Sequence, residues 1–204
     1  MTLELLNYGL IYATIWRFGV ETGLRISDIL NINGPLQGSF LSLTESKTGK
    51  QKQFIISDEL YRMILSLQRE GPFLTNKSNT KNGNTFKLFP TTRQTVHKYI
   101  RLSALKINEN DIGTHSMRKT YAYNVLCITR SLDSVKRALN HKYISTTILY
   151  LIDGMLWLID RQHPKFCGIR PWIDPEWSNS QSIRIFRHLK STTGFNFTRP
   201  GSAS

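Results

Sequence analysis

The sequence has little cysteine and no long apolar run. Cys127 and Cys167 are its two thiols in 204 residues, too few and too isolated for a disulfide framework or a zinc site. No apolar stretch approaches the ~18 residues of a membrane-spanning helix, and the opening MTLELLN lacks the basic and apolar regions of a signal peptide. We therefore expect a cytoplasmic, reduced protein.

Acidic residues are also scarce. Lys and Arg number 27 against 14 Asp and Glu, a net charge of +13. The excess is spread along the chain: residues 1–150 carry 20 basic and 10 acidic residues, and residues 151–204 carry 7 and 4. A folded basic domain most often binds nucleic acid. Composition leaves open the alternative that charge serves solubility alone.

Hydrophobic periodicity predicts a fold that is mainly α with a small antiparallel β-sheet (α+β). Two short alternating runs, SFLSLTE and KQFIIS, flank the turn ESKTGK and predict a β-hairpin. The other patterned segments have helical spacing. They are residues 3–18, a short segment after Gly23, residues 58–70, residues 91–104, and three segments between Thr114 and Tyr150.

The stretch from Thr114 to Tyr150 concentrates residues suited to chemistry on a phosphodiester. It opens with His115 and Arg118 in a His-x-x-Arg pair, continues to His141, and ends with Tyr150 in Thr-x-x-Tyr. Each residue alone has an ordinary structural explanation, because a single histidine or tyrosine in a helix usually belongs to the core or to an interface. The ordered set is more informative than any of its members.

Four stretches together resemble the catalytic domain of the tyrosine recombinases, or phage integrases. They are TGLRISDIL, ESKTGKQKQFIIS, THSMRKTYAYNVL and RALNHKYISTTILYL. They occur in the family's order and at similar separations, over roughly residues 5–155. The resemblance implies a site-specific DNA recombinase or integrase that cleaves and rejoins strands through a covalent 3′-phosphotyrosyl intermediate, in the integration or excision of a mobile element.

By position, the resemblance implies a six-residue catalytic set. Tyr150 corresponds to the nucleophile, and two arginines correspond to the pair that binds the phosphate. A lysine on the hairpin corresponds to the general acid. Of two histidines, the first corresponds to a general base and the second to a residue that donates a hydrogen bond to a phosphate oxygen. These residues are Arg25, Lys47, His115, Arg118, His141 and Tyr150. Asp28 corresponds to a carboxylate that orients the first arginine or its helix.

The chemistry of these side chains fits those roles. Forked, permanently charged guanidinium groups can bind the non-bridging oxygens of a phosphodiester and stabilise the charge that develops on attack. A free phenol has a pKa of about 10, so the tyrosine needs neighbouring cations or a base such as His115 to lose its proton. The sequence contains no phosphate-binding loop or carboxylate metal cage, and we expect no cofactor.

Several assignments remain open from sequence. Lys50 and Lys52 compete with Lys47 for the hairpin position, Tyr121 and Tyr143 compete with Tyr150, and Arg25 could simply pair with Asp28 or Glu21. His97, His163 and His188 match nothing in the family and are expected to be structural or exposed. The alternative functions are a type IB topoisomerase-like DNA relaxer and a non-catalytic DNA-binding regulator that keeps the fold.

The resemblance also predicts domains and partners. Residues 1–155 would form the catalytic domain and residues 156–204 a C-terminal extension, in which residues 155–159 dock on a neighbouring protomer or pack on their own domain. The family's N-terminal DNA-gripping domain has no counterpart in these 204 residues, so we expect either a fragment of a longer protein or a minimal one, with weak, salt-sensitive DNA binding by this part alone. The implied partners are double-stranded DNA, a homotetramer on that DNA, and accessory DNA-bending proteins. Residues 75–87 and 91–104 are candidates to face the DNA.

Overall fold

A computed structural model describes residues 1–70 and 86–151 of the chain. Most of the loop at 75–87 and all of the extension at 156–204 therefore lie outside the described residues. Within the described ranges, no helix has both the length and the apolar character to span a membrane.

The first helical segment is two helices, α1 (Thr2–Leu6) and α2 (Leu10–Thr22), so the single helix predicted over residues 3–18 is wrong. The chain breaks at Gly9, whose φ of 129° is outside the helical region and is accessible mainly to glycine. The break lets α1 fold back against α2. Leu5 of α1 is fully buried as a result.

The remaining helices follow the predicted periodicity closely. Ser57 caps α4 by accepting a hydrogen bond from the amide of Leu60, and Thr92 caps α5 in the same way through the amide of Thr95. Thr114 is the first residue of α6, and Gly113 occupies its cap position. These helices are α3 (Ile26–Leu30), α4 (Asp58–Glu70), α5 (Arg93–Lys106), α6 (Thr114–Thr129), α7 (Leu132–Ala138) and α8, helical at residues 144–151.

Two small antiparallel sheets accompany the helices. The predicted hairpin is present as β2 (Phe40–Thr44) and β3 (Gln51–Ile55), with Phe40 opposite Ile55 and Thr44 opposite Gln51. A second pair, β1 (Asn33–Gly34) with β4 (Phe86–Lys87), was not predicted, because two-residue strands carry no readable alternation. The mainly α architecture with a small antiparallel component is confirmed.

The core is built around α2, which packs against α1, α4 and α6. Phe18 of α2 is fully buried and meets Phe54 of β3 and Phe89 edge-on, with ring centroids 6.0 and 5.9 Å away. Fully burying a phenylalanine side chain contributes about 1.5–3 kcal/mol. A Cβ at Gly19 would overlap Met117 of α6, so the absence of a side chain there lets α2 and α6 approach closely.

Gly23 ends α2 in the left-handed conformation, with φ 63° and ψ 19°. Its amide donates to the carbonyl of Gly19, which closes the last turn. A Cβ at Gly23 would overlap the ring of Tyr121 on α6. Glycine is therefore required at position 23 for its backbone conformation and for space.

Replacing Gly23 by alanine should destabilise the protein by about 2–5 kcal/mol, since the left-handed conformation costs an L-residue about 1–2 kcal/mol and overpacking about 1–3 kcal/mol more. Gly49 is a matched control, because its φ is 66° but a Cβ there would meet nothing within 4 Å. Gly49→Ala should therefore lower the free energy of unfolding only by the contribution of the left-handed conformation, without the overpacking contribution. Urea unfolding of both variants measures the difference, and equal losses would contradict the steric role of Gly23.

Candidate active site

Arg25 is positioned by the turn that follows α2. It caps α3 with an extended backbone, φ −72° and ψ 147°. Its Nη1 donates to Oε2 of Glu45 at 3.0 Å and lies 3.8 Å from Oδ2 of Asp28. Asp28 also accepts a hydrogen bond from the amide of Ser46 at 2.9 Å, which ties α3 to the hairpin turn. Arg25 therefore pairs with Asp28, as considered from sequence, and more closely with Glu45.

Arg118 lies in the second turn of α6, and only 4% of its side chain is exposed. Its guanidinium donates to two backbone carbonyls, that of Gly23 and, at 2.6 Å, that of Leu139. Burial lowers the pKa of Arg118, as does the charge of Arg25, while Tyr150 and Glu45 act in the opposite direction. The effect of Tyr150 places its phenol within electrostatic reach of this guanidinium.

Glu45 is a site residue that sequence reasoning missed. Its side chain is fully buried between the two arginines, with Oε2 on Arg25 and Oε1 3.9 Å from Nη1 of Arg118. Burial raises the pKa of this carboxyl, but hydrogen bonds from Thr48 and Arg25 and the charges of both arginines outweigh it, so the pKa lies below its usual value. The available signal was strand alternation, because Leu41, Leu43 and Glu45 share one face of the hairpin.

The two predicted histidines lie close to the same positive charges. The pKa of His115 is lowered by partial desolvation and then by nearby cations, among them Arg93, Lys119 and Arg118. Burial and the charges of Arg118 and Arg25 likewise lower the pKa of His141. Both imidazoles are therefore mainly neutral at pH 7, so each can accept a proton at one ring nitrogen and donate from the other.

Tyr150 lies on α8, half-buried, with its ring against that of His141. The ring centroids are 5.5 Å apart and the planes meet at 81°. His141 is oriented by Thr147, one turn before Tyr150, with Nδ1 and Oγ1 3.1 Å apart. When Thr147 donates to Nδ1, the imidazole hydrogen resides on Nε2. Helix α8 thus presents the phenol and fixes the histidine beside it.

The competing phenols have less favourable surroundings, although the charge of Arg118 also acts on Tyr121. Tyr121 packs beneath Gly23, and burial raises its pKa, which disfavours the phenolate that attack requires. Tyr143 lies just before α8 and is 58% exposed. His97, expected to be structural or exposed, is exposed on α5. Arg118 acts electrostatically on both Tyr150 and Tyr121, but of these two phenols it is Tyr150 whose ring lies against His141.

The hairpin lysines occupy two different environments. Lys47 is exposed on the turn between β2 and β3, so its role as general acid stays a prediction. Lys52, on β3, is half-buried and donates to the carbonyls of Thr22 at 2.6 Å and Ala138 at 3.0 Å. Contacts and electrostatic effects thus associate five of the six predicted residues, and Lys47 lies at the tip of the adjoining hairpin.

Replacing Glu45 by glutamine should lower the free energy of unfolding at pH 7 by about 1.5–3 kcal/mol, the usual contribution of a hydrogen bond to a charged group. Because the folded-state pKa of Glu45 is depressed, its stabilisation is present above the unfolded value of about 4.3 and is lost as the pH falls through the folded value. The difference from wild type should therefore shrink in acid.

Glu59→Gln is the control for that measurement. Glu59 also contacts an arginine, Arg17, at 2.8 Å, but 63% of its side chain is exposed. An exposed pair contributes about 0–1 kcal/mol, so this variant should change little at any pH. Urea unfolding at pH 7 and at pH 3.5 tests both variants. A Glu45→Gln cost that is small at pH 7, or unchanged in acid, would contradict the buried bridge.

Comparison with known proteins identifies the family of the chain. Residues 6–154 match the model of the phage integrase family. The probable integrase/recombinase YoeC of Bacillus subtilis is 32% identical over 136 residues, covering 66% of this chain and 73% of that protein. A probable integrase/recombinase of Acholeplasma phage L2 is 29% identical over 147 residues, covering 69% of this chain but 48% of that protein.

Solved structures support the fold. XerA recombinase superposes with a TM-score of 0.56 at 19% identity, over 81% of this chain and 61% of XerA. XerH recombinase bound to its difH substrate, in a post-cleavage complex, gives a TM-score of 0.53 at 16% identity, over 73% and 44% of the two chains. The chain thus spans less than two thirds of either solved structure. With the family model matched over most of its length, the chain belongs to the phage integrase family.

Proposed function

We propose that this chain cleaves and rejoins DNA strands, with Tyr150 as the nucleophile, in site-specific recombination. The observation that carries the proposal is the position of Tyr150, in ring contact with His141 and within electrostatic reach of Arg118. A phenol beside a buried arginine and a neutral imidazole is suited to attack on a phosphodiester.

In the proposed step, the Tyr150 oxygen attacks phosphorus as the bond from phosphorus to the deoxyribose 5′-oxygen breaks. His115 accepts the phenolic proton, and its lowered pKa favours the neutral base. Lys47, on the hairpin turn, protonates the leaving 5′-oxygen. The products are a 3′-phosphotyrosyl enzyme and a free 5′-hydroxyl, and attack by a second strand's 5′-hydroxyl reverses the step without an added energy source.

Charge stabilisation in this step is assigned to Arg25 and Arg118. Arg25 is the more adaptable, because 21% of its side chain is exposed and its partner Glu45 adjoins the hairpin turn. His141 would donate Nε2–H to a non-bridging oxygen, in the tautomer that Thr147 favours by donating to Nδ1. Glu45 keeps the two guanidiniums together despite their mutual repulsion.

Three features support DNA as the substrate. The net charge of +13 favours binding to a polyanion. The curated relatives are named integrase/recombinase, and XerH, which shares the fold, was solved with its difH substrate in a post-cleavage complex. We further propose a homotetramer on DNA, accessory DNA-bending proteins, and a role in integrating or excising a mobile element in the host cytoplasm.

Covalent trapping tests the proposed nucleophile. The protein is mixed at low salt with labelled duplexes from the ends of its parent element, each nicked near the centre so that the small 5′-hydroxyl fragment diffuses away. Wild-type protein should give a slow-migrating, protease-sensitive DNA adduct on a denaturing gel. Tyr150→Phe should give none while still binding DNA, because only the attacking oxygen is removed.

Tyr143→Phe is the matched control, since Tyr143 is a phenol seven positions earlier and largely exposed. It should form the adduct at the wild-type level. Adduct formation by Tyr150→Phe would disprove the assignment. Binding without any adduct, on both element ends and with a partner domain added, would favour a non-catalytic DNA-binding regulator. Relaxation of supercoiled plasmid of unrelated sequence would favour a topoisomerase-like relaxer.

A further inference from the structure

Lys52 makes contacts that its sequence position does not suggest. Its ammonium donates to the carbonyl of Thr22, the last residue of α2, and to that of Ala138, the last residue of α7. It also lies 5.0 Å from the centre of the Tyr121 ring. One side chain of β3 therefore joins the ends of two helices that are far apart in sequence.

These carbonyls lie directly beside the two that Arg118 binds. Arg118 donates to Gly23 and Leu139, and Lys52 donates to Thr22 and Ala138, so the two cations bridge consecutive carbonyls at the same two helix ends. Helix C-termini carry unsatisfied carbonyls and partial negative charge, so they favour cationic donors. Two parallel bridges restrict rotation of one helix end against the other better than one bridge does.

The bridged segments lead directly to predicted site residues. Arg25 follows Gly23 by two positions, and His141 follows Leu139 by two positions. Between Leu139 and His141 the chain turns through Asn140, whose φ is 54°. A displacement of either helix end would therefore be passed on to a guanidinium or an imidazole of the site.

We propose that Lys52 is a positioning residue of the cleavage site, whose ammonium ties the ends of α2 and α7 together and so sets the relative placement of Arg25, Arg118 and His141. This inference rests on the proposed function. Lys52 acts through the backbone and through Arg118, and it needs no contact with DNA.

The surroundings of Lys52 disfavour the charged form of its ammonium group. Burial lowers the pKa of Lys52 to about 8, and Arg118 and Arg25 act in the same direction, whereas Glu45 and Asp28 oppose them. Because the folded-state pKa is below the unfolded value of about 10.4, Lys52 makes the fold more stable as pH rises from about 8 to about 10.4. If cleavage slows over this pH range, unfolding caused by deprotonation of Lys52 is not the reason.

The test compares Lys52→Met and Lys52→Arg in the full chain. With the nicked duplex at saturating concentration, Lys52→Met should form the adduct about 10- to 100-fold more slowly, as expected for reacting groups misplaced by about 1 Å. Its dissociation constant for DNA should change far less. Lys52→Arg should recover most of the rate, because a guanidinium can donate to both carbonyls.

The pH profile separates positioning from simple structural support. The wild-type rate should fall as pH rises through about 8, where the ammonium loses its charge. Lys52→Arg should not show this fall, because arginine keeps its charge throughout the range. An alkaline fall that is the same in both proteins would overturn the proposal, as would a Lys52→Met variant that cleaves at the wild-type rate.

A measurement without DNA keeps this inference distinct from the proposed function. Histidine ring signals are recorded by NMR for wild type, Lys52→Met and Lys52→Arg. The His141 signal should move in Lys52→Met and return in Lys52→Arg, while that of His97 on α5 stays fixed. Lys106→Met is the control, since Lys106 also lies over a tyrosine ring, 4.9 Å from the centre of Tyr8.

The outcomes can be told apart. An unmoved His141 signal in Lys52→Met overturns the positioning role, even if wild-type protein forms the adduct. A wild-type protein that forms no adduct overturns the proposed function and with it the catalytic purpose of Lys52, even if the His141 signal moves as expected. A signal change of the same size in Lys106→Met would show a nonspecific response and overturn the inference.

Discussion

The site depends on two like-charged guanidiniums being held close together inside a small domain. Burying an unpaired arginine is prohibitive, so the charge must be met by carboxylates and oriented dipoles. Glu45 supplies the carboxylate, and the C-terminal carbonyls of α2 and α7 supply the dipoles. Arg118 therefore helps to hold the fold together at the position where we propose that it acts on a substrate.

This arrangement links stability to function. Glu45 and the carbonyls of Gly23 and Leu139 hold the two guanidiniums in place. A bound phosphate would compete with these acceptors for the same positive charge. Arg25 lies at the border, still partly exposed, and Arg118 lies almost wholly inside. In the proposed mechanism both guanidiniums stabilise charge, and Arg25 is the one with more freedom to move toward a substrate. The hairpin joins both functions, because Glu45 and Lys52 face inward and Lys47 faces solvent.

The sequence by itself determined the mainly α fold, the hairpin and most of the helices, and it proposed the six site residues, five of which contacts and electrostatic effects associate in the structure. Periodicity suffices for long helices because burial of one face dominates their stability. Where the sequence prediction failed, local signals were weak or ambiguous: the break at Gly9 and the two-residue strands depend on how neighbouring segments pack.

Only the tertiary structure decided which charges meet. In the sequence, Glu45 is an ordinary polar residue of a hairpin and Lys52 is only an alternative to Lys47 for the hairpin position. Their importance arises from Arg25, 20 positions from Glu45, and from Ala138, 86 positions from Lys52. Such contacts produce no periodic pattern in the sequence, because electrostatic pairing depends on distance in space and not on spacing along the chain. The sequence could propose which residues act on a phosphodiester, but only the packed helix ends show what holds them in place.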